Sequence, residues 1–157
     1  MGDMRDQLMA QTEARVLAHG WTCIAVFPDP QSDQPAFAYS VGFERTFQCP
    51  EVVFVGFDPQ LSQSLIAGIA ASLRARELRL PPEGGRVSGV IQGFDVMVAP
   101  VPEEIARNVA RGAISFAFPN RIRLVQIILP DEKGNFPGDP ECRPDLATGQ
   151  DIGVFAD

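Results

Sequence analysis

The run Glu51-Val52-Val53-Phe54-Val55-Gly56-Phe57 constrains this chain more than any other segment. Its β-branched and aromatic residues specify a strand, and its nearly continuous apolar character suggests burial on both faces. Two further strands precede it. Trp21–Phe27 has a similar composition and Phe37–Phe43 alternates, so the two read as a hairpin across the turn-rich segment Pro28–Pro35. Asp58-Pro59 then supplies an N-cap followed by proline at the first helical position. Leu61, Leu65, Ile66, Ile69, Ala70 and Leu73 continue it as the clearest helical stripe in the chain.

Ahead of these strands, residues 6–19 read as an amphipathic helix. Leu8, Met9, Thr12, Val16 and Leu17 share one face, and Gly20 is its C-cap. Beyond the break at Leu80–Gly85, short strands are expected near Val87–Ile91 and Phe94–Ala99, joined at Gln92-Gly93. Pro102-Glu103-Glu104 opens a short helix that Gly112 would end, and Arg123–Leu129 is the last strand. From Pro130 onward proline, glycine and acids dominate, and the end reads as an extended tail packed on the surface. Strands that follow one another in pairs predict a single α+β domain over residues 1–157. Its largely antiparallel sheet would have about five to six strands, with two or three helices. Residues 131–157 form an acidic, Pro/Gly-rich C-terminal arm.

A chain of 157 residues, 45% hydrophobic and 21% charged, can bury a core of its own. No apolar run approaches the roughly 18 residues of a membrane helix. The charged start of the chain lacks the apolar stretch of a signal peptide, so a cytoplasmic location is expected. Of the formal net charge of −7, residues 131–157 hold −5, with seven acids against Lys133 and Arg143. Such a chain repels phosphate backbones, and nucleic-acid binding is not expected unless the arginines cluster in space. All the basic residues but one are arginine, which reads as codon bias. Cys23, Cys49 and Cys142 are odd in number and show no CxxC spacing, which argues for a reducing compartment and against a disulfide framework.

Three ordered segments carry a resemblance. The first is His19-Gly20-Trp21. The second is Phe37-Ala38-Tyr39-Ser40-Val41-Gly42-Phe43, followed by Pro50-Glu51 and Gly56-Phe57-Asp58-Pro59. The third is Val125-Gln126-Ile127-Ile128-Leu129-Pro130-Asp131 with Gly134-Asn135-Phe136-Pro137. Together they resemble the bacterial family known as domain of unknown function 4262. The resemblance implies a small bacterial cytoplasmic protein and no established reaction. Relatives often carry His where Cys49 stands, Thr for Ser40, Leu for Phe43 and Trp for Leu129, so a histidine pair is not available here.

The only histidine, tryptophan and tyrosine, His19, Trp21 and Tyr39, all fall within residues 19–39. His19 is the natural base or ligand, but at a helix C-terminus it also serves the dipole and the last free carbonyls. Tyr39 alternates with Phe37, Val41 and Phe43, so its hydroxyl needs a partner in the core. Gly42 within the strand suggests a bulge or a close backbone approach. Gln126 is a lone amide in an apolar strand and must bond to backbone, to Tyr39 or to a ligand. Zinc held by His19, Cys49 and Cys142 lacks a fourth ligand and supporting spacing, and a Cys49–His nucleophile lacks a helix N-terminus to lower its pKa. Nucleotide-binding and hydrolase signatures are absent.

The expectation is a non-enzymatic binding protein without cofactor or metal. It would meet a protein partner or a second copy through a sheet edge and the acidic arm. Two alternatives stand beside it. One is a small-molecule pocket, or an enzyme, lined by His19, Trp21, Tyr39, Ser40 and Gln126. The other is an acidic inhibitor of a basic protein.

Overall fold

The computed structural model describes residues 3–27, 31 and 34–156. Helix α1 (Asp3–His19) leads into β1 (Thr22–Val26), which pairs antiparallel with β2 (Phe37–Val41). Most of the loop expected at Pro28–Pro35 lies outside the described residues. Next come the five-residue helix α2 (Phe43–Phe47), strand β3 (Glu51–Val55) and helix α3 (Pro59–Arg74). A second hairpin, β4 (Gly85–Ile91) and β5 (Phe94–Pro100), turns at Gln92-Gly93. Helices α4 (Glu103–Val109) and α5 (Arg111–Ala117) precede β6 (Leu124–Ile128), and α6 (Pro144–Gly149) with a 3-10 turn at Ile152–Phe155 closes the chain.

The strands form one sheet in the order β1-β2-β3-β6-β5-β4. Two antiparallel triplets meet at a single parallel seam, where β3 lies beside β6 with Val53 opposite Gln126. The fold is therefore α+β with a mostly antiparallel sheet of six strands, and it has more helices than the two or three expected. β3 is buried along its whole length, as its composition requires. Val52 and Phe54 face the cluster beneath α3, and Val53 and Val55 face the cluster beneath α4 and α5. Among the described residues no helix is long and apolar enough to cross a membrane.

Three expectations need correction. The alternation that suggested a strand through Phe43 stops at Val41. Gly42 takes φ 103°, and a Cβ there would come within 2.9 Å of the Gly20 carbonyl oxygen, so the chain turns into α2 instead. Gly112 does not end a helix but lies within α5, where the lack of a side chain makes room for the Tyr39 hydroxyl and Ile24. The arm is not an extended tail. It forms α6 and the 3-10 turn, buries Phe155 against Phe37 with ring centroids 4.9 Å apart, and packs Gly149 against Gly56.

The face expected on α1 is also narrower than its sequence suggests. Thr12 and Val16 are buried, but Leu8 and Leu17 are exposed, Leu17 by 74%. Of the stripe on α3, Leu61 is likewise exposed while Ile66, Ile69 and Ala70 are buried.

Candidate functional site

Each residue singled out in the sequence has a defined neighbourhood. Tyr39 lies on the α5 side of the sheet, where its hydroxyl accepts the Gly112 N–H at 3.0 Å. Gln126 shares that face, one strand beyond Val53 in the same cross-strand row, so the two side chains stand roughly 10 Å apart. The Gln126 amide donates to the Gln150 carbonyl at 2.6 Å. Gln150 is itself buried and acts as a substitute strand partner: its Oε1 accepts the Leu129 N–H at 2.8 Å and its Nε2 donates to the Leu129 carbonyl at 2.9 Å.

Trp21 is on the α3 side, its ring edge-on to Phe43 at 6.2 Å. His19 is exposed in the last turn of α1. The carbonyls at this helix end are satisfied by other groups. Gly20 N–H reaches Val16, the Arg74 guanidinium donates to the His19 carbonyl, and the Thr46 hydroxyl donates to that of Gly20. His19 and Trp21 thus line grooves on the α3 side, while Tyr39 lines a cleft between α1 and α5.

Ser40 leads to a residue that the sequence reading passed over. Its hydroxyl donates to Glu51 Oε1 at 2.7 Å and accepts the Val52 N–H at 3.0 Å. Glu51 is 2% exposed, and its carboxylate also accepts the N–H groups of Gly42, Phe43 and Glu44 at 3.1 to 3.2 Å. It therefore serves as a remote cap for the first turn of α2, with both oxygens fully used. Burial pushes its carboxyl up to about 7, against the opposing pull of the Ser40 hydroxyl and the three amides.

Helix α2, pinned in this way, forms one wall of a groove of about 820 Å³. The other walls are the end of α1, the end of α3 with the loop after it, and Arg123 just ahead of β6. Arg74, Arg76, Arg79 and Arg123 line it, and none of its lining residues is Asp or Glu. Four arginines thus line one groove in a chain of net charge −7, and the acids that pair with two of them lie outside its lining. The condition set for the arginines in the sequence, that they cluster in space, is met at this place.

Their guanidinium groups are held to different degrees. Arg123 forms a fork with Glu44, Nε to Oε2 at 2.9 Å and Nη2 to Oε1 at 2.8 Å. Arg74, besides its bond to the His19 carbonyl, lies over the Phe47 ring at 5.7 Å. Arg79 meets Glu83 at 3.5 Å in an exposed pair. The Arg76 guanidinium makes no hydrogen bond or ion pair among the described residues. Arg76 occupies the left-handed position of a Schellman ending to α3: its own N–H bonds to the Leu73 carbonyl, and that of Glu77 bonds to Ser72. Arg76 at φ 59° and Gln48 at φ 52° are the two non-glycine residues with positive φ among those described, and both line this groove. Glycine is the usual occupant of the position Arg76 holds, so its side chain is kept there at a conformational cost.

The one thiol among the residues lining the groove is not activated. Cys49 lies on its floor, but burial, with the charges of Glu51 and Glu44, pushes its thiol up to about 12. Among the described residues no three His, Cys, Asp or Glu side chains gather where a metal ion could sit.

The family model described as domain of unknown function (DUF4262) matches residues 15–143. The chain belongs to this family. No curated protein and no solved structure matches it. The segments that resemble DUF4262 can now be read physically. Gly20 and Trp21 pack against Gly42, Ser40 and Glu51 clamp α2, and Asp58 caps α3 by accepting the Gln60 N–H at 2.7 Å. Asp131 gathers the N–H groups of Lys133, Asn135 and Arg143. In this DUF4262 chain the motif residues His19, Gly20 and Pro50 line the groove, and four arginines outside the motifs supply its charge. Sequence reading missed them because Arg74, Arg76 and Arg79 stand apart from Arg123 and are joined to it only by the fold. The irregular Arg-x-Arg-x-x-Arg spacing past the end of the helical stripe was the available signal.

Proposed function

We propose that this protein binds an anionic small molecule in the arginine-lined groove and does not transform it. The observation that carries this reading is the meeting of Arg74, Arg76, Arg79 and Arg123 in one concave site that has no lining acid. Guanidinium forks match the oxygens of phosphates and carboxylates, and a positive cleft on an acidic protein draws anions by its local field. The strained backbone of Arg76 supports the same reading, since strain of this kind persists where a side chain is needed in place. The inert Cys49 thiol and the fully bonded Glu51 carboxylate favour binding over chemistry. The groove uses His19 from the expected site residues, in place of a pocket shared with Tyr39 and Gln126.

The substitution Arg76→Gly tests this directly, because structure and function predict opposite signs. Removing a non-glycine residue from the left-handed position should stabilise the fold by about 1 kcal/mol, which for a domain of this size raises Tm by roughly 3 °C. Titration calorimetry with inorganic pyrophosphate at low ionic strength should show binding to the native chain that weakens with added salt. The Arg76→Gly variant should bind about tenfold more weakly, the loss of one charge-assisted contact. A native chain that binds no pyrophosphate, or a variant that binds it equally well, overturns the proposal.

A further inference from the structure

We infer that the ligand of this groove is a phosphomonoester with an aromatic or apolar organic body, held with the phosphate at Arg74 and Arg76 and the body on the leucine-rich wall. This rests on the anion-binding reading and adds the ligand's class to it.

The charges set the head group. Arg123 is already neutralised by its fork with Glu44, and Arg79 faces Glu83. Arg74 and Arg76 have no carboxylate partner among the described residues, which leaves two positive charges for the ligand. A phosphomonoester near neutrality carries close to two negative charges, because its second pKa is about 6. Arg74 is also preorganised. Its guanidinium is fixed by the His19 carbonyl and the Phe47 face, and it fills the space beside Gly20, where a Cβ would come within 2.8 Å of it.

The dimensions set the rest of the ligand. The groove's 820 Å³ lies in the range of sites for whole organic ligands, about 300–1,000 Å³, and far exceeds what one inorganic ion fills. Beside the arginines the groove is lined by the apolar residues Leu17, Phe47, Leu73, Leu78, Leu80 and Pro82, with Thr46 and Gln48 among them. Leu17 is the outlier among these, 74% exposed at the rim of the groove with no protein surface covering it. An apolar body lying along this wall would cover Leu17 and contribute affinity that a free anion lacks. His19, beside it on the rim, adds a ring nitrogen able to donate to a phosphate oxygen.

Calorimetric titration of the full chain with four probes decides the matter: inorganic phosphate, phenyl phosphate, adenosine 5′-monophosphate and succinate. At least one of the two organic phosphates should bind tenfold or more tightly than inorganic phosphate and than succinate. Leu17→Ser, a rim substitution that the fold should tolerate, should remove several-fold of that advantage and leave the affinity for inorganic phosphate unchanged. Arg76→Gly should weaken both phosphate classes. Organic phosphates that bind no better than inorganic phosphate overturn this inference while the anion reading stands. Succinate binding as tightly as the organic phosphates overturns the phosphate class. Failure of the native chain to bind pyrophosphate overturns the reading beneath it.

Discussion

Glu51 shows how a single side chain can organise a neighbourhood. Placing a carboxyl group at 2% exposure is costly, and four donors surround it in compensation. Burial still wins, and the carboxyl rises from its ordinary value of 4.5 to about 7. Between those values the folded chain keeps a proton that the unfolded chain has released. The stability contributed by this group is therefore full below pH 4.5 and is lost as pH rises through 7. The urea midpoint of the native protein should fall between pH 5 and 7.5 by an amount worth on the order of 3 kcal/mol. Glu51→Gln should flatten that slope and, because its amide must point a donor at another donor, lower stability by about 2 kcal/mol. A midpoint that rises with pH across this window would contradict the assignment. Ser40 was legible in the sequence as a polar residue in an apolar strand. Its partner was not, because the bond spans eleven positions and depends on the pairing of β2 with β3.

At the scale of elements, local pattern succeeded where each element answers to its own sequence. The Asp58-Pro59 start of α3, the Gln92-Gly93 turn and the buried β3 all form as their residues require. Pattern failed at α2 and α5, where a contact from elsewhere decided the outcome. Two glycine substitutions separate the cases. Gly68 lies in α3 with open space around it, so Gly68→Ala should stabilise by about 1 kcal/mol through helix propensity alone. Gly112 also lies in a helix, but a Cβ there would come within 2.6 Å of Ile24 Cδ1 and 2.7 Å of the Tyr39 oxygen. Gly112→Ala should therefore cost about 2 kcal/mol, and Ile24→Val with Tyr39→Phe should recover most of it. Thermal melts of the three variants measure the contrast. Equal shifts for Gly68→Ala and Gly112→Ala would show that the α5 contact carries no weight.

Across the whole molecule, the acidic arm belongs to the body of the fold. Gln150 completes the hydrogen bonding of Leu129, Asn108 donates to the Phe155 carbonyl at 2.8 Å, and Phe136 and Cys142 are buried. The Arg86 guanidinium lies over the Phe136 ring at 5.1 Å, joining the arm to the edge strand β4. A chain ended after Pro130 should lose the Gln126 and Leu129 partners and uncover Phe37. Its thermal transition should become non-cooperative in calorimetry, with aggregation in light scattering. A truncated chain that melts cooperatively as a stable monomer would show that the arm is dispensable.

The sequence by itself determined the positions of the six strands and of α1 and α3, the depth of β3, the mostly antiparallel sheet and the caps of α1 and α3. These follow from periodicity and from residues within a few positions of one another. Only the tertiary structure decided the parallel seam between β3 and β6, the partners of Ser40, Tyr39 and Gln126, and the turn at Gly42. It also decided the meeting of Arg123 with Arg74, Arg76 and Arg79. Each of these is a contact between positions far apart in the chain, set by how strands align and helices pack, and no local pattern of residues encodes it.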